Sequence, residues 1–303
     1  MHYFGSHHSG NRLFFSLQSS ADIIYRSVKL AKKNINELSF IDYGGGMGTL
    51  YLLAGMAGFR QVCFNDYFPK WTAYSKLISD KLGIRIDGFI AGDIDAVIEY
   101  GESHNMRFDI IASRNVVEHI YSLPAFYTRL SRSGITGLCY STTTANYHNP
   151  AMRLKHYWEH YKTEKNIFRK QREEYIRELV PGIDANDLHQ LISITRGRAF
   201  EDFTAAVDLF RKKQHVPRLT SLGTNTCDCR TGMWAEHLIK KQDYAAIIEG
   251  TGLAFSYTPG FWDTHYKYAF VNLFTRCLNG LIRLLGKKGY WLSPFVNIVA
   301  IKK

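Results

Sequence analysis

The sequence predicts an α/β protein, a doubly wound, mostly parallel seven-stranded sheet that carries a helical insertion. Three observations lead there. Between residues 38 and 144 short apolar runs alternate with segments of helical period. Those runs are apolar along their whole length, as in strands covered on both faces. From about 147 to 217 the alternation stops and the chain becomes polar, charged and helical in flavour, before strand-like runs resume.

In chain order, residues 20–37 place Ile23, Ile24, Val28, Leu30, Ala31 and Ile35 close to a helical period, with Ser20 as N-cap. "LSFIDYG" reads as a short buried strand, and "GTLYLLAGMAG" as a helix that Gly58 ends. "RQVCFND" is the second strand, and "PKWTAYSKLISDKLG" a helix with Pro69 in its first turn. "IDGFIAGD", "FDIIASRN" and "GLCYSTTT" supply three more strands, with "VVEHIYSLPAFYTRLSR" a helix broken near Pro124. Beyond the insertion, "TGMWAEHLIKKQDYAAIIEGTG" reads as a helix, "LAFSYTPG" as a strand, "HYKYAFVNLFTRCLNGLIRLLGKKG" as a basic amphipathic helix and "SPFVNIVAIKK" as the last strand.

Composition narrows the class. At 303 residues with 46% hydrophobic and 21% charged residues, the chain suits a soluble globular protein with a large core. The formal charge is +11, and much of the excess is local. No Asp or Glu follows Asp263, yet Lys267, Arg276, Arg283, Lys287, Lys288, Lys302 and Lys303 do. A local basic patch implies a local anionic partner, whether nucleic acid, an anionic membrane face or an acidic substrate. Five cysteines at 63, 139, 227, 229 and 277 form no disulfide framework. The start lacks the order of a signal peptide, and no apolar run approaches the ~18–20 residues of a membrane span. These features predict a cytoplasmic protein, at most peripheral to a membrane.

The chemistry centres on "FIDYGGGMGTLYLLAGMAGFRQVCFND". A glycine turn between strand and helix offers backbone N–H groups and a helix dipole to a ligand. The dinucleotide fingerprint G-x-G-x-x-G/A fits Gly44 and Gly46, but its third position falls on Thr49. The P-loop pattern is absent. What remains is D-x-G-x-G-x-G, spelled by Asp42, Gly44, Gly46 and Gly48.

Here the chain resembles the class I S-adenosylmethionine-dependent methyltransferases, in particular their small-molecule branch. The resemblance implies a Rossmann-like methyltransferase fold and S-adenosylmethionine as cofactor, with the glycine turn under its methionine part. It implies that Asp66, ending "VCFND", takes the two ribose hydroxyls, a role a carboxylate fills by accepting both O–H bonds. It also implies that Tyr67 packs on the adenine, and that Asp93 and Ile94 of "AGDI" bind its amino group and ring. "FDIIASRNVVEHI" resembles the family's "FD…SN-x-VLEH" stretch, which sets Asn115 beside the methionine moiety and Glu118-His119 as the EH pair. The family often has Asn then Asp where this chain has Arg114 and Asn115. The resemblance covers 38–145 by motif and 231–303 by strand order, and the insertion has no counterpart in it.

The chain then divides into 1–146 (N-terminal helices and the cofactor-binding half of the sheet), 147–217 (a helical insertion capping the substrate) and 218–303 (the rest of the sheet with the basic helix). Methyl transfer is chiefly positioning, so a base is needed only if the nucleophile must lose a proton. His119 has two readings: such a base, as a residue with a pKa near ~6.5 suits, or a helix histidine bonding a neighbour, the plainer reading. Asp66 and Asp93 likewise have plainer readings as N-caps. No metal is expected, because Cys227-x-Cys229 with His237 lacks structural-zinc spacing. His7 and His8 read either as a lid or as a frayed terminus. Phe270, Phe274, Leu278, Leu281 and Leu285 share one helix face, expected to face the core, with a membrane surface or a substrate as the alternative. The predicted acceptor is a small anionic or sugar-bearing molecule, such as a lipid-linked or nucleotide-linked saccharide, methylated on oxygen. An RNA methyltransferase is the rival enzyme, although no N/D-P-P-Y/F tetrapeptide and no RNA-binding module are present. A non-catalytic cofactor-binding or membrane-surface scaffold is the rival of another class.

Overall fold

The computed structural model describes residues 11–219 and 222–302. His7, His8 and Lys303 lie outside the described residues. Seven strands form one sheet: β1 (Ser39–Tyr43), β2 (Gln61–Asp66), β3 (Gly88–Ala91), β4 (Phe108–Arg114), β5 (Thr136–Thr143), β6 (Leu253–Pro259) and β7 (Val296–Lys302). Their order is β3-β2-β1-β4-β5-β7-β6. The first five are mutually parallel, and β7 runs antiparallel to both β5 and β6. β1 is buried at every position, as its unbroken apolar run requires.

The helices are α1 (Asn11–Ala31), α2 (Leu50–Ala57), α3 (Pro69–Leu82), α4 (Ile94–Ser103) and α5 (Leu123–Ser133), followed by α6 (Pro150–Thr163), α7 (Arg169–Leu179), α8 (Ala185–Ile194) and α9 (Phe200–Arg211), and then α10 (Lys241–Glu249) and α11 (Ala269–Leu284). Local chemistry sets many ends. Gly58 and Gly83 close α2 and α3 at positive φ, 88° and 64°. Pro69 opens α3, and Asn149 caps α6 by accepting from Ala151 N–H and Met152 N–H at 2.9 and 3.1 Å. The core beneath the sheet joins Ile23 and Ile24 of α1 to Phe40, Leu50, Ala54, Val62, Ile110 and Leu138.

Several boundaries differ from the sequence reading. The first helix begins at Asn11, and Ser20 is a fully buried interior residue whose hydroxyl lies 3.0 Å from that of Thr49. "VVEHI" forms only a 3₁₀ turn, Val117–His119, and Pro124 sits in the first turn of α5 instead of breaking a helix. Residues 231–240 are not helical: Cys227 and Trp234 pair across an antiparallel bridge, and the helix starts only at Lys241. The α11 stripe does not face the core, since Phe270, Phe274 and Leu281 are 72%, 63% and 48% exposed. Thr275 and Ile282 are the helix's buried residues.

The chain splits into two compact units. One contains the sheet: the described residues through Val117, Leu123–Thr144 and Lys241 onward. The other is helical, Glu118–Ser122 with Ala145–Lys240, and has its own core of Ile176, Leu188, Leu191, Ile192, Phe203 and Val207.

Candidate functional site

In the sheet unit the chain leaves β1, builds β2 and β3 on one side, and returns to β4 on the other. That makes the carboxyl ends of β1 and β4 a topological switch point, where open α/β sheets hold ligands in a crevice. The glycine turn lies there. Gly44 and Gly46 adopt φ of 68° and 55°, which side-chain-bearing residues seldom reach. A Cβ on Gly44 would stand 2.7 Å from both Val116 methyls, whereas one on Gly46 would meet nothing within 4 Å. The backbone at Gly46 therefore borders open space. Gly48 N–H donates to the Gly45 carbonyl at 2.9 Å, and a Cβ on Gly48 would come 2.8 Å from that oxygen.

Two carboxylates brace the turn. Asp42 is buried at the end of β1 and accepts from Tyr51 N–H in α2 at 2.9 Å. Burial pushes its carboxyl up to about 7, with Asp66 adding to the rise, against the opposing pull of Arg114 and the Tyr51 N–H. Asp66, nearly buried at the end of β2, accepts from Gly46 N–H through one oxygen and from Phe68 N–H through the other, both at 2.9 Å. Burial raises its pKa and those two N–H groups lower it, with burial prevailing. Each carboxylate oxygen keeps a further lone pair, so the same group that fixes Gly46 can still accept from a hydroxyl.

The remaining predicted residues lie along the same strand ends. Tyr67 follows Asp66 and is 53% exposed, with its ring 5.2 Å from that of Phe68. Asp93, after β3, accepts from Asp95 N–H and Ala96 N–H as the N-cap of α4, while Ile94 is buried beside it. Asn115 follows β4 in the left-handed region, φ 55°. Its N–H donates to the Thr142 carbonyl at 2.8 Å and its Oδ1 accepts from Thr144 N–H at 3.3 Å. Asn tolerates that backbone better than most residues because its amide bonds locally.

Other residues escape motif reading. Arg114 donates through Nη1 to Ser16 Oγ at 2.7 Å and to Ser19 Oγ at 3.0 Å, tying α1 to the end of β4. Asn65 donates to the carbonyls of Ile90 and Gly92, and Ser75 to that of Gly46 at 2.8 Å. The only sequence trace of the α1 contact is Ser16, Ser19 and Ser20, spaced as one helix face.

His119 belongs to the helical unit. Its Nδ1 lies 2.8 Å from the Trp234 carbonyl, so that nitrogen carries the proton and a neutral ring leaves Nε2 as the acceptor. Nε2 stands 3.9 Å from Glu236 Oε1. Glu118, His119 and Glu236 place donor atoms within 4.8 Å of one another, the one such group among the described residues spaced to hold a metal ion. Cys227 and Cys229 are buried free thiols, and burial pushes them up to about 12 and about 11.

No family model matches the chain, and no curated protein does. Solved structures do. A magnesium protoporphyrin IX methyltransferase from Synechocystis PCC 6803, with bound S-adenosylhomocysteine, aligns at 12% identity over 97% of this chain and 85% of its own, TM-score 0.44. An S-adenosylmethionine-dependent methyltransferase from Mesorhizobium loti aligns at 14% over 92% and 98%, TM-score 0.43. A candidate methyltransferase from Streptococcus mutans aligns at 17% over 43% of this chain, TM-score 0.33, and the chain spans 37% of that protein. These likenesses are low in both identity and TM-score, and the fold stands on the chain's own mostly parallel seven-stranded sheet.

Proposed function

We propose that the chain is an S-adenosylmethionine-dependent methyltransferase acting in the cytoplasm on an oxygen of a small anionic or sugar-bearing acceptor. One observation supports it most: the open backbone at Gly46, the Asp66 carboxylate and Asn115 all lie at the carboxyl ends of β1, β2 and β4, around the switch point. The cofactor, once bound, supplies a methyl group activated by a positive sulfur. Asp42 and Asp66 hold the turn that would carry its methionine part, and Asp66, Tyr67, Asp93 and Ile94 would hold its nucleoside. An acceptor oxygen would take that methyl group and leave the sulfur neutral. A hydroxyl acceptor would also have to lose its proton to a base, for which His119, with Nε2 unprotonated in the neutral ring, is the candidate. Within the helical unit taken by itself, two features suit a ring-bearing, anionic molecule. Trp158 and Tyr161 are stacked and exposed on α6, with Lys162 over Trp158 at 5.3 Å and Lys165 over Tyr161 at 6.0 Å. A lipid-linked or nucleotide-linked saccharide combines those properties.

Titration calorimetry with S-adenosylhomocysteine tests the cofactor site. Wild type is expected to bind, and Asp66→Ala to bind about 10- to 100-fold more weakly, the loss of hydrogen bonds to a charged group. Melting curves of both proteins separate this from unfolding. Equal affinities remove the ribose assignment, and silence in wild type removes the cofactor. Methyl transfer to RNA, with strongly salt-dependent binding, favours the rival enzyme.

A further inference from the structure

We infer that α11 is a membrane-surface helix that docks this protein on an anionic lipid bilayer. Helix geometry comes first. At about 100° per residue, Phe270, Leu273, Phe274, Leu281 and Leu284 fall within one arc of the α11 surface. That arc faces outward, the five side chains being 72%, 65%, 63%, 48% and 83% exposed. A helix that merely covers a sheet turns its apolar stripe inward, whereas α11 buries Thr275 and Ile282 and presents the stripe. An open groove of about 720 Å³ runs along its C-terminal half, lined by Ile282 and Arg283 of α11 and Ala21, Asp22 and Tyr25 of α1.

The surroundings of the arc select the partner. Exposed Arg276 and Arg283 lie one heptad apart on its flank, and Lys287 and Lys288 follow the helix. No acidic residue occurs in the sequence after Asp263, and Asp22 of α1, which lines the groove with Arg283, is paired with Arg26 at 2.9 Å. Exposed Tyr268 precedes the helix and exposed Trp291 follows it, amphipathic rings of the kind enriched where hydrocarbon meets headgroups. An apolar arc with a basic flank and aromatic ends is the make-up of a helix lying in the plane of an interface. Two other occupants fit less well. A second copy would bring another net charge of +11 against the same basic flank, and nucleic acid would leave the phenylalanines and leucines unused. No helix among the described residues is long and apolar enough to cross a membrane, so the contact is a surface one. This inference stands on α11 and is independent of methyl transfer.

Flotation with vesicles tests it, using phosphatidylcholine alone and a 3:1 mixture with phosphatidylglycerol. Wild type is expected to float with the anionic vesicles, less so as salt rises. Phe270→Ser combined with Phe274→Ser, and separately Arg276→Gln combined with Arg283→Gln, are each expected to weaken binding by about tenfold or more. All four side chains are exposed, so unchanged melting temperatures are expected to show that the fold is intact. Wild type left unfloated by anionic vesicles overturns the inference, as does binding that neither pair of substitutions alters. Equal flotation with both vesicle types overturns its anionic part. Sedimentation velocity that shows a dimer dissolved by the phenylalanine substitutions, without vesicle binding, assigns the face to a second copy instead.

Discussion

Gly44 and Gly46 share a backbone conformation but not an environment. Replacing either by alanine costs the left-handed strain of a Cβ, about 1–2 kcal/mol. At Gly44 the new methyl also meets Val116 at 2.7 Å, and overpacking of that kind adds about 1–3 kcal/mol. At Gly46 it enters open space. Gly44→Ala is therefore expected to melt several degrees below Gly46→Ala by calorimetry. Gly46→Ala, folded and only mildly weakened, is expected to lose S-adenosylhomocysteine affinity by about tenfold or more, since its methyl stands where a ligand would lie. A Gly46→Ala protein that binds like wild type moves the ligand off the turn. Equal melting temperatures for the two variants contradict the Val116 contact.

Elements were legible to the degree that their signals are local. Strands β1, β2 and β4 show as apolar runs because both faces are covered, and Asp42 and Asp66 at the ends of β1 and β2 follow from the βαβ spacing. Periodicity gave α11 its apolar stripe but was silent on its direction, because the helical period records only that a stripe exists. Nor could spacing bring Glu236 to Glu118 and His119, which the bridge at Cys227 and Trp234 and the bond from His237 N–H to the Glu118 carbonyl achieve. The link between α6 and α7 is another such case. A π turn, Glu164–Phe168, joins them, and its Glu164 pairs with fully buried Arg172 and accepts from Thr226 Oγ1 at 2.7 Å. Burial alone would raise the Glu164 carboxyl, yet the Arg172 hydrogen bond and charge outweigh it and hold the pKa below its ordinary value. Glu164→Ala leaves the guanidinium buried without its carboxylate, at a cost of about 3–5 kcal/mol. Adding Arg172→Met is expected to recover much of that loss in urea denaturation. A double variant no more stable than the single one shows that Arg172 finds another partner.

At the scale of the whole molecule, the two units carry buried groups that respond to pH with opposite sign. In the sheet unit, burial pushes the Asp42 carboxyl up to about 7 in the fold against about 3.9 when unfolded, so the native state keeps its proton longer. Its contribution is full below about pH 4 and declines as pH rises toward 7, by at most about 1.4 kcal/mol per pH unit. In the helical unit, burial, with His160 nearby, pushes His237 down to about 3, and burial likewise lowers His160. A histidine kept neutral in the fold contributes fully above its unfolded value of about 6.5, and that contribution is lost as pH falls. Acidification from pH 6.5 to 4.5 therefore strengthens one unit while it weakens the other. Scanning calorimetry across that window is expected to show two transitions moving apart or crossing. Asp42→Asn should flatten the response of the sheet unit, because asparagine can still accept from Tyr51 N–H but does not titrate. His237→Gln should flatten that of the helical unit. A single transition that shifts one way, and shifts alike in both variants, would show that neither group governs the pH response.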